Sequence, residues 1–213
     1  MQAVFGLYVI LTDPVVGYED CARAAVTEGV RYLQLRMKGN ARDEIIKTAR
    51  TIREITRGTS TRFIVNDDPR IAMEVDADGV HLGQSDMPLN QARDLWSVPG
   101  KIFGLSTHNE AQELRARDLG PNYIGVGPVF PTPTKAIADP DLGLERMGEI
   151  IRKSPFPAVA IGGIDEENLP EILAQGVVNF CAVRPIMQST DPRSIIHRLM
   201  DIWRLSLPAG SAN

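Results

Sequence analysis

Eight short runs rich in Val, Ile and aromatic residues recur along the chain, each followed by a longer segment of helical period. The runs cover 5–12, 32–37, 62–66, 78–82, 102–106, 123–129, 158–164 and 178–183, so their starts lie 16 to 35 residues apart. A hairpin closes over a few residues. Spacing of this size instead suits a strand plus a crossover helix, and therefore parallel pairing. In 41–56, Ile45, Ile46, Ala49, Ile52 and Ile55 form one apolar stripe, with Gly58 after it as a stop. Further helices are expected over 19–28, 110–119, 143–152, 166–174 and 192–205, with shorter ones at 70–75 and 89–96. Eight strands alternating with eight helices predict an α/β fold: a single (βα)8 TIM barrel with a closed, parallel, eight-stranded sheet over 1–207. The competing closure is an open doubly wound sheet. That architecture often shows a Gly-rich turn after its first strand, whereas the first run here ends Leu11-Thr12-Asp13-Pro14. The small polar segment 208–213 reads as a disordered tail.

Composition narrows the class. A chain of 213 residues is long enough to bury about 70% of its unfolded surface in one core. Its 23 Lys and Arg against 27 Asp and Glu give a net charge of −4, which argues against a general nucleic-acid binder but allows a local basic pocket. The two cysteines, Cys21 and Cys181, fall in a helical and a strand pattern and read as reduced packing residues. No apolar run reaches the length of a membrane span, and the N-terminal segment lacks the basic region of a signal peptide. The expected location is the cytoplasm, with no membrane partner.

In a barrel of this kind the C-terminal ends of the strands share one mouth. Gln34, Arg36 and Lys38 alternate along the second run and so point the same way. They serve either a salt bridge to inward acids or a polyanionic ligand. The third run ends Asn66-Asp67-Asp68-Pro69 and the fourth ends His81-Leu82-Gly83-Gln84-Ser85-Asp86. Carboxylates on neighbouring strand ends can hold a hard cation such as Mg²⁺, although helix capping explains one Asp at each place equally well. Ser106 or Thr107 could cap the following helix, and His108 could be a general base at the mouth or a structural residue. Two prolines stiffen Pro131-Thr132-Pro133-Thr134-Lys135 and present Lys135 to an anion. Gly162-Gly163 before a helix, with Arg184 after the last strand, fits a phosphate. Pro185 is expected to restrict Arg184 to extended conformations. No nucleophilic triad, Cys/His metal spacing or nucleotide fingerprint is present.

The runs Gln34-Leu35-Arg36-Met37-Lys38, Asn66-Asp67, 79–86, 125–135 and Ile161-Gly162-Gly163-Ile164 together resemble the thiamine phosphate synthase family, in order along residues 5–205. The resemblance implies a barrel that joins hydroxymethylpyrimidine diphosphate to thiazole phosphate with Mg²⁺, giving thiamine phosphate and pyrophosphate. It implies pyrimidine diphosphate contacts at Gln34, Leu35, Arg36, Met37, Lys38, Asn66, Ser106 and Lys135, with Arg36, Lys38, Ser106 and Lys135 catalytic. It implies metal ligation by Asp67 and Asp86. Thiazole phosphate contacts would fall at Thr132, Pro133, Thr134, Gly163, Val183 and Arg184. The family commonly has Ser at the last of these positions, so Arg184 is a departure. The implied chemistry is departure of pyrophosphate to leave a pyrimidine carbocation, captured by the thiazole nitrogen. The partners are then the two small-molecule substrates and, within the family's range, further copies of the chain. Two alternatives stand beside this reading: a thiazole tautomerase using His108, which would not need paired Asp67 and Asp86, and a non-catalytic barrel that binds phosphorylated ligands.

Overall fold

The computed structural model describes residues 3–132 and 140–207. Pro133, Thr134 and Lys135 of the expected substrate loop, and the expected tail at 208–213, lie outside the described residues. Eight parallel strands close into a barrel in sequence order: β1 (Gly6–Leu11), β2 (Tyr32–Leu35), β3 (Arg62–Asn66), β4 (Gly79–Leu82), β5 (Ile102–Thr107), β6 (Tyr123–Val126), β7 (Ala158–Ile161) and β8 (Asn179–Cys181). The helices are α1 (Tyr18–Thr27), α2 (Arg42–Thr56), α3 (Pro69–Glu74), α4 (Leu89–Leu95), α5 (Glu110–Leu119), α6 (Gly143–Lys153), α7 (Leu169–Ala174), α8 (Arg184–Met187) and α9 (Pro192–Ser206). None of the described helices is long and apolar enough to cross a membrane.

Strand alternation sorts the side chains into two cores. Leu7, Val9 and Leu11 of β1, Leu33 and Leu35 of β2, and Val80 and Leu82 of β4 face outward and pack beneath the helices. The α2 stripe closes over them through Ile46, Ala49 and Ile52. The opposite phase fills the barrel itself, where Phe5, Tyr8, Ile10, Tyr123, Val159 and Cys181 form a separate cluster with Tyr32 packed against it. Tyr8 and Tyr32 stack with ring centroids 5.7 Å apart. Cys21 and Cys181 are both reduced and buried, as their patterns predict.

Closure falls to the junction of β1 with β8. The buried Asn179 side-chain oxygen accepts from Phe5 N at 2.7 Å and Gly6 N at 3.1 Å, and its amide donates to Ala3 O at 3.0 Å. Trp203 of α9 covers the seam and donates from Nε1 to Val178 O at 2.9 Å.

Two local expectations are corrected. The first, second, fourth, sixth, seventh and eighth runs are longer in the sequence than the strands they form, because pairing stops where the neighbouring strand stops; Arg36, Val129 and Gly163 lie beyond their strands. A ninth helix, α8, begins at Arg184 although Pro185 follows it. Pro185 sits in the first turn, where its missing N–H has no helical partner to lose.

Candidate active site

A cavity of about 780 Å³ opens at the C-terminal ends of the strands. Tyr8, Ile10, Gln34, Tyr123 and Cys181 form its floor. Arg36, Asn66, His81, Ser106 and His108 line one side, and Thr132, Gly162, Gly163, Val183 and Arg184 line the other. Of the residues singled out in the sequence, Gln34, Arg36, Asn66, Ser106, Thr132, Gly163, Val183 and Arg184 therefore line one cavity, whereas Lys38, Asp67 and Asp86 are not among its lining residues.

The second run divides by face. Gln34 is buried in the barrel and donates from Nε2 to Tyr8 Oη at 2.9 Å. Arg36 reaches the cavity, with Nη1 3.5 Å from Thr12 Oγ1, and makes no ion pair among the described residues. Lys38 is half exposed and pairs with Asp67. Of the two expected partners, then, Lys38 has an acid and Arg36 does not. Leu35 and Met37 turn their side chains into the layer beneath the helices, so only their backbone is left to the mouth.

The capping alternatives resolve residue by residue. Asp68 is the N-cap of α3 and accepts from Arg70 N at 2.8 Å. That leaves Asp67, held at φ 65, to turn its carboxylate toward Lys38 and Asp86. Asp86 closes a turn by accepting from Gly83 N at 2.6 Å, and it does not cap α4, whose N-cap is Pro88. Burial pushes the Asp67 carboxyl above its usual range; the Asp86 carboxylate adds to this and Lys38 opposes it. Two carboxylates facing one another in this way share one counter-charge, Lys38. Among the described residues no group of three or more His, Cys, Asp or Glu side chains could hold a metal on its own. A pair of carboxylates with a single lysine between them instead suits a cation that brings phosphate oxygens as its other ligands.

On β5, Asn109 caps the following helix by accepting from Gln112 N at 3.0 Å, so neither Ser106 nor Thr107 is needed there. Ser106 Oγ lies 2.9 Å from His81 Nε2. His108 Nδ1 lies 2.6 Å from Gly127 O, and since a carbonyl only accepts, this nitrogen carries a proton.

Gly162 and Gly163 have φ of 109 and 66. A Cβ on Gly162 would lie 2.6 Å from Pro128 Cα, and one on Gly163 would lie 2.7 Å from Phe130 Cβ. Close approach of the chain after β6 thus requires glycine at both positions, in addition to any ligand. Val129 N and Phe130 N donate to Ile161 O and Gly162 O and lock this approach. Arg184 stands in the first turn of α8 on the same cavity wall, and its guanidinium makes no ion pair among the described residues.

Sequence reasoning missed the polar side chains inside the barrel. Tyr8, His81 and Tyr123 form a hydrogen-bonded row with Gln34 and Ser106. Their signal was the inward phase of each strand: Tyr8 shares it with Ile10, and Tyr123 with Gly125.

A family described as thiamine monophosphate synthase matches residues 7–186. A thiamine-phosphate synthase of Vibrio campbellii is 37% identical over 202 residues, covering 94% of this chain and 98% of that protein. One from Synechocystis sp. is 42% identical over 195 residues, covering 91% of this chain; the chain spans 56% of that longer protein. A solved structure titled thiamine phosphate pyrophosphorylase, from Pyrococcus furiosus, superposes with a TM-score of 0.86 at 33% identity, over 96% of this chain and 98% of that one.

Proposed function

The chain belongs to the thiamine monophosphate synthase family, and from that premise we propose how its barrel mouth makes thiamine phosphate. The enzyme is a transferase. It joins hydroxymethylpyrimidine diphosphate to thiazole phosphate and releases pyrophosphate. We place it in the cytoplasm, with these two small molecules as its partners.

The observation that carries the residue assignment is that Asp67 faces Asp86 and Lys38 beyond the ends of β3 and β4, at the edge of the barrel where Arg36 lines the cavity, while Gly163 and Arg184 line it at the edge formed by β7 and β8. The first edge suits a diphosphate and the second a monophosphate. Gln34, Asn66 and Ser106 meet the pyrimidine diphosphate between them, with backbone of Leu35 and Met37 at its side. Thr132, Pro133, Thr134, Val183 and Arg184 hold the thiazole phosphate.

Asp67 and Asp86 would hold Mg²⁺, which when bound neutralises charge on diphosphate oxygens. The protein's own groups do the rest. The bond from the pyrimidine methylene carbon to oxygen breaks, and its electron pair leaves with the pyrophosphate. Negative charge grows on the departing oxygens, where the cations of Arg36, Lys38 and Lys135 stabilise the transition state more than the bound substrate. The aminopyrimidine ring stabilises the carbocation, and the thiazole nitrogen supplies the pair for the new C–N bond. No proton leaves the reacting atoms and no side chain forms a bond to carbon. Holding the two rings together removes much of the entropic cost of their encounter.

The test is to supply both substrates and Mg²⁺ and measure thiamine phosphate and pyrophosphate. Equimolar products that require both substrates support the reading. Isomerisation of the thiazole phosphate without the pyrimidine would transfer the site to the tautomerase reading.

A further inference from the structure

A hydrogen-bonded chain crosses the barrel beneath the cavity from Gln34 to Ser106. Gln34 Nε2 lies 2.9 Å from Tyr8 Oη, and Tyr8 Oη lies 2.7 Å from Tyr123 Oη. Tyr123 Oη lies 3.0 Å from His81 Nδ1, and His81 Nε2 lies 2.9 Å from Ser106 Oγ. The five residues come from five strands: β2, β1, β6, β4 and β5. A chain of this length across so many elements needs a built space. Gly104 of β5 provides it. In the register it stands between His81 on β4 and Tyr123 on β6, and their side chains meet over it. A Cβ on Gly104 would fall 2.6 Å from His81 Nδ1 and closer still to the Tyr123 ring.

Counting protons gives the chain a direction. Both phenols are buried, and burial pushes each above its usual range, so each keeps its single proton. The Gln34 amide can only donate from Nε2, so Tyr8 Oη accepts there. Tyr8 then has one place for its own proton, Tyr123 Oη. Tyr123 in turn gives its proton to His81 Nδ1, which must be bare. The neutral imidazole therefore carries its hydrogen on Nε2 and donates to Ser106 Oγ. With that bond accepted, the Ser106 hydroxyl hydrogen turns toward the cavity. Turning the Gln34 amide over would reverse every bond and leave Ser106 donating to His81, with only lone pairs for an anionic ligand.

We propose that Tyr8, Tyr123 and His81 are positioning residues that hold the Ser106 hydroxyl as a donor aimed at an anion in the cavity, with Gln34 Oε1 presented as an acceptor at the other end of the same chain. The identity of the ligand rests on the function proposed above: a diphosphate oxygen at Ser106 and the pyrimidine amino group at Gln34. The polarity of the chain does not rest on it. An acceptor and a donor fixed at two ends of one rigid row would select a ligand that carries an amine and an anion at matching separation.

The test starts from ligand-free protein labelled with ¹⁵N at its three histidines. Long-range proton–nitrogen correlation reports which ring nitrogen carries hydrogen, and His81→Asn identifies the His81 signals by their loss. His81 is expected as the Nε2–H tautomer. His108, which must donate from Nδ1 to Gly127 O, provides the contrasting pattern in the same spectrum. A His81 ring protonated on Nδ1, or on both nitrogens, overturns the proposal. This measurement uses no substrate, so it stands or fails separately from the assigned activity. In turnover, Tyr123→Phe removes the proton that keeps Nδ1 bare. It should lower kcat about 10-fold, the loss of roughly one hydrogen bond to a charged group, with KM for thiazole phosphate within about 2-fold. Because the effect runs through Ser106, adding Tyr123→Phe to Ser106→Ala should cost almost nothing further. Additive losses in the double variant would make Tyr123 a packing residue only and overturn the proposal.

Discussion

Asp67 shows how one residue can be held against its own stability. Its carboxylate is raised above the usual range by burial and by Asp86, so at neutral pH the folded state holds a charge that the unfolded state holds more easily. The sign follows from linkage: a carboxyl raised in the folded state favours folding below its unfolded range, and that contribution is lost as pH rises through the folded value. Asp67→Asn should therefore leave the melting temperature at pH 7 unchanged or higher, while turnover at low Mg²⁺ falls about 100-fold or more through loss of a ligand charge. Asp86→Asn should lose activity similarly and keep its fold, since an amide oxygen still accepts from Gly83 N. Melting curves beside Mg²⁺ titrations of activity check both variants; wild-type activity at low Mg²⁺ would remove the metal role. Arg184 stands where the family resemblance leads one to expect Ser. Its guanidinium has no acid among the described residues and stands on the wall with Gly162 and Gly163. Arg184→Ser should raise the Michaelis constant for thiazole phosphate about 10-fold and leave that for the pyrimidine diphosphate unchanged. Steady-state kinetics with each substrate varied in turn separates direct contact from an outward-turned side chain. At this scale the sequence was legible where spacing alone puts a side chain at a strand end, as with Arg36 on the cavity wall. It was not legible where two neighbours compete for one role. Whether Asp67 or Asp68 caps α3, and which of them faces the mouth, depends on a single positive φ.

Among the elements, the seam between β1 and β8 depends most on a single side chain. Asn179 accepts two backbone N–H groups of the opposite strand and is fully buried. Asn179→Ala would strand both donors away from water, at a cost of about 3 kcal/mol; urea unfolding followed by fluorescence measures it, and Trp203 at the same seam is a natural reporter. The contact of α9 with α1 is of another kind. Glu28 accepts from Arg193 Nε at 2.7 Å and faces His197 Nδ1 at 2.9 Å, and these partners, Arg193 first, hold its carboxyl below the usual range. A lowered carboxyl contributes stability above its unfolded range and loses it as pH falls through the folded value. Glu28→Gln should therefore lower stability at pH 7 by about 1 kcal/mol or less, since its partners are exposed. The gap from wild type should close in the acid range below pH 4.5, as a series of melting curves would show. Most elements were legible because their periods, 2 and 3.6, are written in the chain. The helix α8 was not, because Arg184-Pro185 reads as an extended pair. Only its place after β8, with Val183 O accepting from Ile186 N and Met187 N, makes it a turn of helix.

For the molecule as a whole, closure of the barrel creates the site. Residues as far apart in the chain as Arg36 and Arg184 come within one cavity mouth only because each lies at the same end of its strand. The count of eight strand–helix units made that closure legible, and the strand ends pointed to the mouth. The interior row of Tyr8, Tyr123 and His81 could not be read in the same way. Which inward residues meet across a barrel is set by the register of several strands, and no local pattern records it. A net charge of −4 with cations gathered at the mouth also explains how an acidic chain can take two phosphorylated substrates. Everything proposed for the reaction requires that the mouth have two unlike anion ends. A crystal structure of the protein with thiamine phosphate, pyrophosphate and Mg²⁺ would show both ends at once. Pyrophosphate is expected against Arg36 with the metal on Asp67 and Asp86, and the thiazole phosphate against Gly163 and Arg184. Pyrophosphate at Gly163 and Arg184, or a metal bound away from both aspartates, would contradict this assignment of the two ends.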